Sequence, residues 1–252
     1  MATAVKSYFS STRIAVLALF SALAAVLYIF NFAIPFAFPG FLEFKFADVP
    51  VLIGTFALGP ASGCIIVVMM VLIKLVCVST RTMFVGDFAD IVIGIAFCLP
   101  AGLIYRKNRT FKGAVWGMAA GSAVSVAVSV LANWLVLVPF YVQFMFGGIW
   151  EPLLGMMTPL FPSCTRENFY NFYLWVSVLP FNALRCLVAS LITVLVYKHV
   201  TRAINRLNAR IAPKQAVSPR LAAIRRTLVV LGVILAALIF AFFAVLRYLL
   251  AP

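Results

Sequence analysis

Seven stretches of this chain run almost unbroken through apolar side chains, and that pattern leaves few folds open to it. A run of ~20 apolar residues crosses the hydrocarbon core of a bilayer as a helix. The stretches are Ile14 to Ile34, Asp48 to Leu58, Cys64 to Val78, Asp87 to Tyr105, Gly113 to Val142, Phe169 to Tyr197 and Leu228 to Leu250. The second and third are short, so one or both are expected to tilt or break. Such backbone is tolerated at membrane depth only where it is packed in protein or lines a cavity. With 65% hydrophobic and 10% charged residues, and a mean hydropathy of +1.13, a soluble domain could not cover its own apolar surface. Barrel strands would alternate polar and apolar residues, and these runs do not. The expected fold class is therefore an all-α integral membrane protein, with a six-helix bundle plus one additional C-terminal transmembrane helix. Residues 1–199 are read as the six-span membrane domain, 200–227 as a basic cytoplasmic linker and 228–252 as the added helix.

Charge orients the bundle. All six acidic residues, Glu43, Asp48, Asp87, Asp90, Glu151 and Glu167, fall in or beside three loops on one side of the predicted layout. Most of the 20 Lys and Arg fall on the other, including Arg13, the turn Arg106-Lys107-Asn108-Arg109-Thr110-Phe111-Lys112, and Lys198, Arg202, Arg206 and Arg210. Lys and Arg collect in cytoplasmic loops. The chain is accordingly expected in the plasma membrane as a multi-pass protein with its N-terminus cytoplasmic. A seventh span would put the C-terminus outside, unless it lies in the interface. The same rule accounts for the net charge of +14, whose basic edges can touch anionic lipid; no aromatic-interleaved basic patch points to nucleic acid.

Few polar residues interrupt the spans, so each needs a partner or a ligand. In span six, Pro180-Phe181-Asn182-Ala183-Leu184-Arg185 places Asn182 and Arg185 on one helix face. Arg offers five donors in a rigid fork and Asn offers both donor and acceptor, a set that can read the edge of a flat heterocycle. The plainer alternative pairs Arg185 with a carboxylate such as Asp48 or Asp87 only to stabilise the bundle. Asn133, in span five, is satisfied either by a neighbouring helix or by a ligand. Asp48 and Asp87 begin spans two and four, where capping is the default reading. Asp90 lies beyond the cap and is the stronger pocket candidate. Lys74 either snorkels or pairs with one of these acids. The outer loops are dense in aromatics, Phe41, Phe44, Tyr141 and Tyr173 among them. They serve an interfacial belt or stack on a planar ligand.

Enzyme signatures are missing. His199 is the only histidine, no HExxH or GxxxxGK[ST] occurs, and the five cysteines show no CxxC pairing. Four cysteines sit in predicted helices and Cys164 in an outer loop. No metal, cofactor or disulfide framework is expected, and an intramembrane enzyme is disfavoured.

One set of segments carries a resemblance: Ala47-Asp48-Val49-Pro50-Val51-Leu52-Ile53-Gly54, Leu58-Gly59-Pro60-Ala61-Ser62-Gly63, Val85-Gly86-Asp87-Phe88-Ala89-Asp90, Leu99-Pro100-Ala101-Gly102 and Pro180-Phe181-Asn182. Over residues 13–199 the chain resembles the substrate-binding (S) component of energy-coupling factor vitamin transporters, most closely the riboflavin-specific members. The resemblance implies a six-helix bundle holding riboflavin or a related flavin near its outer face, as transported ligand and not as cofactor. It implies an ABC-type importer in which this subunit docks on a transmembrane coupling protein joined to two cytoplasmic ATPases. It places Ala18 and Ala22 of span one, within a small-xxx-small pattern, at that docking face. The ligand-binding set so implied, together with the pocket candidates above, is Asn133, Asn182, Arg185, Asp90, Asp87, Asp48, Lys74 and Phe41. Arg185 stands where that family usually has Lys, Asp87-Phe88-Ala89-Asp90 replaces a Glu-x-Ala-Asn pattern, and the seventh span is additional. A different vitamin or heterocycle, or a transporter or sensor working without the ATPases, remains the alternative.

Overall fold

In the computed structural model, residues 11–80 and 82–211 are described. They form seven helices and one short hairpin: α1 Ser11–Ile29, β1 Asn31–Ala33, β2 Glu43–Lys45, α2 Asp48–Leu58, α3 Pro60–Cys77, α4 Val85–Lys107, α5 Phe111–Met145, α6 Glu151–Met157 and α7 171–211. Four of them, α3, α4, α5 and α7, are long and apolar enough to cross a membrane. The seventh span, Leu228 to Leu250, lies outside the described residues.

Several boundaries differ from expectation, each for a local reason. Span one ends at Ile29, not Ile34. Asn31, Phe32 and Ala33 pair instead with Lys45, Phe44 and Glu43 in an antiparallel hairpin, with the Phe32 and Phe44 rings 5.6 Å apart. Pro35 also disfavours helix at the residue before it. Helix α3 starts at Pro60, four residues earlier than read, because the whole turn after α2 is made by Gly59 at φ 98° and proline is suited to the first helical position. The loop after α5 is not bare: it holds α6, over Glu151–Met157. The last helix passes Tyr197 and continues to Ile211, into the segment read as linker.

Helix α2 has 11 residues, a rise of about 16 Å against a hydrocarbon core of about 30 Å. The hairpin stands before α2 in the chain, with Phe44 of β2 buried and β1 exposed. It is held there by Phe38 and Phe44, which meet Phe181 of α7 edge-on at 5.2 and 6.2 Å. At the opposite end of the bundle, Arg13 is buried and donates from Nη2 to Leu58 O (2.7 Å) and to Ser62 Oγ (2.9 Å). It thus satisfies a carbonyl at the end of α2.

The closest helix contact is α4 against α5. Gly113, Gly117, Gly121, Ser125 and Ser129 recur every fourth residue of α5, and all are buried. A Cβ on Gly117 would fall 2.7 Å from Ala101 O, and Ser125 Oγ donates to Ile93 O (3.1 Å). Small residues at this spacing let two backbones meet where no hydrophobic effect drives association. Sequence reading placed the small-residue pattern in α1. There Ala15, Ala18 and Ala22 are exposed while Ala25 is buried, so Ala18 and Ala22 sit on an open face beside Leu19, Leu23 and Val26.

Candidate ligand-binding site

Over the C-terminal part of α5 and the N-terminal part of α7 the chain leaves regular α-helical winding. Asn133–Leu137 and Tyr141–Met145 of α5, and Asn171–Val178 of α7, wind as π-helix. Pro139 and Pro180 stand beside these runs; proline cannot donate the helical bond and clashes with the carbonyl four residues back. Widened turns of this kind re-aim side chains and occur often at functional sites. Here Asn133, Leu137, Tyr141, Met145 and Tyr173, all from the widened turns, line one cavity of about 740 Å³.

That cavity gathers most of the candidate set. Asn133, Asn182, Arg185, Asp90, Asp87, Lys74 and Phe41 all line it. Asp48 does not, but its Oδ2 lies 3.2 Å from Nε of the lining Arg185. Arg185 therefore both lines the cavity and lies beside a carboxylate. The pair is not a well-aligned hydrogen bond, and Arg185 Nε and Nη2 are buried without a hydrogen-bond acceptor.

The capping expected of Asp48 and Asp87 is not what these carboxylates do. Neither α2 nor α4 has a side-chain cap hydrogen bond. Both acids stay in the first turn, where the helix dipole favours them, but each carboxylate is drawn sideways to a cation. Asp87 accepts from Lys74 Nζ (2.6 Å) on one oxygen and from Thr80 Oγ1 (2.7 Å) on the other. Lys74 thus pairs and does not snorkel. Asp90 Oδ2 accepts from Lys45 Nζ (2.7 Å) and from Tyr28 Oη, while the Lys45 ammonium lies 4.1 Å from the centre of the Tyr28 ring. Asp90 ties α1, the hairpin and α4 together at the cavity wall.

The two asparagines have mixed allegiance. Asn133 donates to Ser129 O (2.8 Å) and accepts from Tyr173 Oη, so neighbouring groups satisfy much of its amide. Asn182 donates to Val178 O (2.9 Å), and its Oδ1 has no hydrogen bond among the described residues. Apolar walls complete the site: the Phe41 and Tyr173 rings are 5.7 Å apart, and Tyr173 stacks on Phe169 at 5.2 Å.

Sequence reasoning missed Tyr28, Lys45 and Thr80. Lys45 carried the one available signal, as a cation in an otherwise acidic outer loop. Among the described residues no group of three or more His, Cys, Asp or Glu is arranged to hold a metal, and the five cysteines are free.

Three comparisons bear on what such a cavity holds. The family model "ECF transporter, substrate-specific component" matches residues 12–197. The chain is 29% identical over 195 residues to the riboflavin transporter RibU of Staphylococcus aureus (strain TCH60), covering 77% of this chain and 93% of that protein. It is 24% identical over 186 residues to the riboflavin transporter FmnP of Bacillus subtilis (strain 168), covering 73% and 90%. A solved structure described as the S component of a bacterial ECF transporter superposes with a TM-score of 0.57 at 27% identity, covering 77% of this chain and 98% of that one.

Proposed function

The chain belongs to the family of ECF transporter substrate-specific components, and we propose that it captures riboflavin at the outer face of the plasma membrane and delivers it inward. The observation that carries this reading is the convergence of Asn133, Asn182 and Arg185 with the Phe41 and Tyr173 rings on one cavity. Its volume, about 740 Å³, suits a ligand of vitamin size, since small-molecule pockets run ~300–1,000 Å³. The carbonyls and ring N–H of an isoalloxazine match the donors of Arg185 and the open Oδ1 of Asn182. Tyr173 and Phe41 offer faces for its rings. Two relatives that bear the name riboflavin transporter support the same ligand.

Delivery in this reading depends on partners. The chain has no phosphate loop of its own, so ATP is hydrolysed by two cytoplasmic ATPases. A transmembrane coupling protein docks on the open α1 face at Ala18 and Ala22. The basic Arg106 to Lys112 turn lies on the cytoplasmic side with the N-terminus, and the cavity opens outward.

The test is direct. Protein purified in detergent from flavin-replete cells is expected to be yellow and to quench riboflavin fluorescence on binding. Asn182→Ala should weaken binding by about tenfold or more, the loss of one or two hydrogen bonds to the ring. Colourless protein with no riboflavin binding at micromolar concentration would remove the ligand assignment.

A further inference from the structure

Two glycines fix the register between α3 and α4. A Cβ on Gly102 would stand 2.9 Å from Pro60 Cβ, and a Cβ on Gly94 would stand 3.0 Å from Val67 Cγ1. These contacts run in opposite order along the two helices, so the helices are antiparallel. Between the two contacts, the same register sets Cys64 of α3 against Cys98 of α4. The two thiols interact side chain to side chain. Cys98 is wholly buried, and Cys64 is half-buried against the same core cluster. Ile65 and Met69, next to Cys64 and one turn on, are exposed, so this edge of α3 is open and apolar. Neither cysteine lines the ligand cavity.

We propose that Cys64 and Cys98 form a modification site: a dithiol that an apolar organic hydroperoxide closes to a disulfide bracing α3 on α4. An oxidant of this class partitions into the hydrocarbon layer and reaches the open edge beside Cys64. The Cys64 sulfur attacks the O–O bond. Its S–O bond forms, the O–O bond breaks, and the alcohol leaves with the thiol proton. Cys98 then attacks the sulfenic sulfur. The S–S bond forms, the S–O bond breaks, and hydroxide leaves as water with the Cys98 proton. Two thiols lose two electrons and two protons, and the hydroperoxide becomes alcohol and water. Because the resolving thiol is already in place, the sulfenic acid condenses before it oxidises further. The bond closes the long segment 64–98 into a loop in the unfolded chain, which favours the folded state.

The experiment treats the full chain in detergent with cumene hydroperoxide and maps its peptides by mass spectrometry. A Cys64–Cys98 crosslink is expected, and dithiothreitol should reverse it. The melting temperature should rise by about 5 °C or more on oxidation and return on reduction. Cys64→Ala and Cys98→Ala should each abolish the rise, and dimedone should trap a sulfenic acid at Cys64 in Cys98→Ala. Thiols that stay free in the parent chain would overturn the proposal. So would Cys64 oxidised to sulfinic acid without a crosslink, bonds to Cys77, Cys164 or Cys186 in its place, or a crosslink that leaves the melting temperature unmoved.

Discussion

Arg185 Nε stands 3.2 Å from Asp48 Oδ2, joining α7 to the first turn of α2 beside the cavity. Both side chains are nearly buried, at 11% and 13% exposure. Removing one partner of such a pair strands a charge and costs about 3–5 kcal/mol, whereas removing both costs far less. Asp48→Asn and Arg185→Gln should each lower the melting temperature in detergent, and the double variant should recover part of the loss. A double variant no more stable than the weaker single would show that the two groups do not act as a pair.

The Tyr173 hydroxyl donates to Asn133 Oδ1 inside the bundle, between two π-helical segments. Tyr173→Phe keeps the ring that faces Phe41 but leaves a buried amide oxygen without its donor, at a cost of about 1–3 kcal/mol. Stability should fall by that amount, and riboflavin affinity should fall with it, because Asn133 loses its fixed orientation. Calorimetry and fluorescence titration on the same preparation separate the two effects. Unchanged values for both would mean that the hydroxyl positions nothing.

Gly117 is where α5 approaches the α4 backbone, 2.7 Å from Ala101 O to the place a Cβ would occupy. Gly117→Val should separate the helices and abolish a monodisperse peak on size exclusion. Gly155→Ala is the control: its Cβ would meet nothing within 4 Å, and it should elute and melt like the parent. Equal behaviour of the two variants would contradict the close packing of α4 on α5.

The sequence revealed the site's charged residues more readily than their pairings. Polar residues in apolar spans are few, so Asn133, Asn182 and Arg185 are conspicuous in the sequence, and all three reach one cavity. Which acid meets which cation was not legible, because pairing depends on where α2 begins relative to α7 and on how the hairpin enters the bundle. The hairpin was hidden because Phe30-Asn31-Phe32-Ala33-Ile34 continues the apolar run of span one, and hydrophobicity does not distinguish helix from buried strand over so short a stretch. The widened turns of α5 and α7 left no trace in the pattern beyond Pro139 and Pro180. Small-residue stripes are legible in the sequence of both α1 and α5, but spacing alone does not say that only the α5 stripe meets another helix of the bundle closely.

That α1 stripe supports the last prediction. Ala18 and Ala22 lie on the open face of the helix, whereas Ala24, Ala25 and Tyr28 are buried in the core. Enlarging the exposed pair touches no core contact, and surface changes of this kind usually move stability by less than about 0.5 kcal/mol. Ala18→Leu with Ala22→Leu should therefore leave the melting temperature and riboflavin affinity near the parent values. A coupling protein that needs close backbone approach at this face would be held off by the added side chains. Cells relying on this subunit should lose riboflavin uptake, and the coupling module should no longer co-purify. Uptake at the parent rate in the double variant would move the docking surface away from α1 while leaving the ligand site untouched.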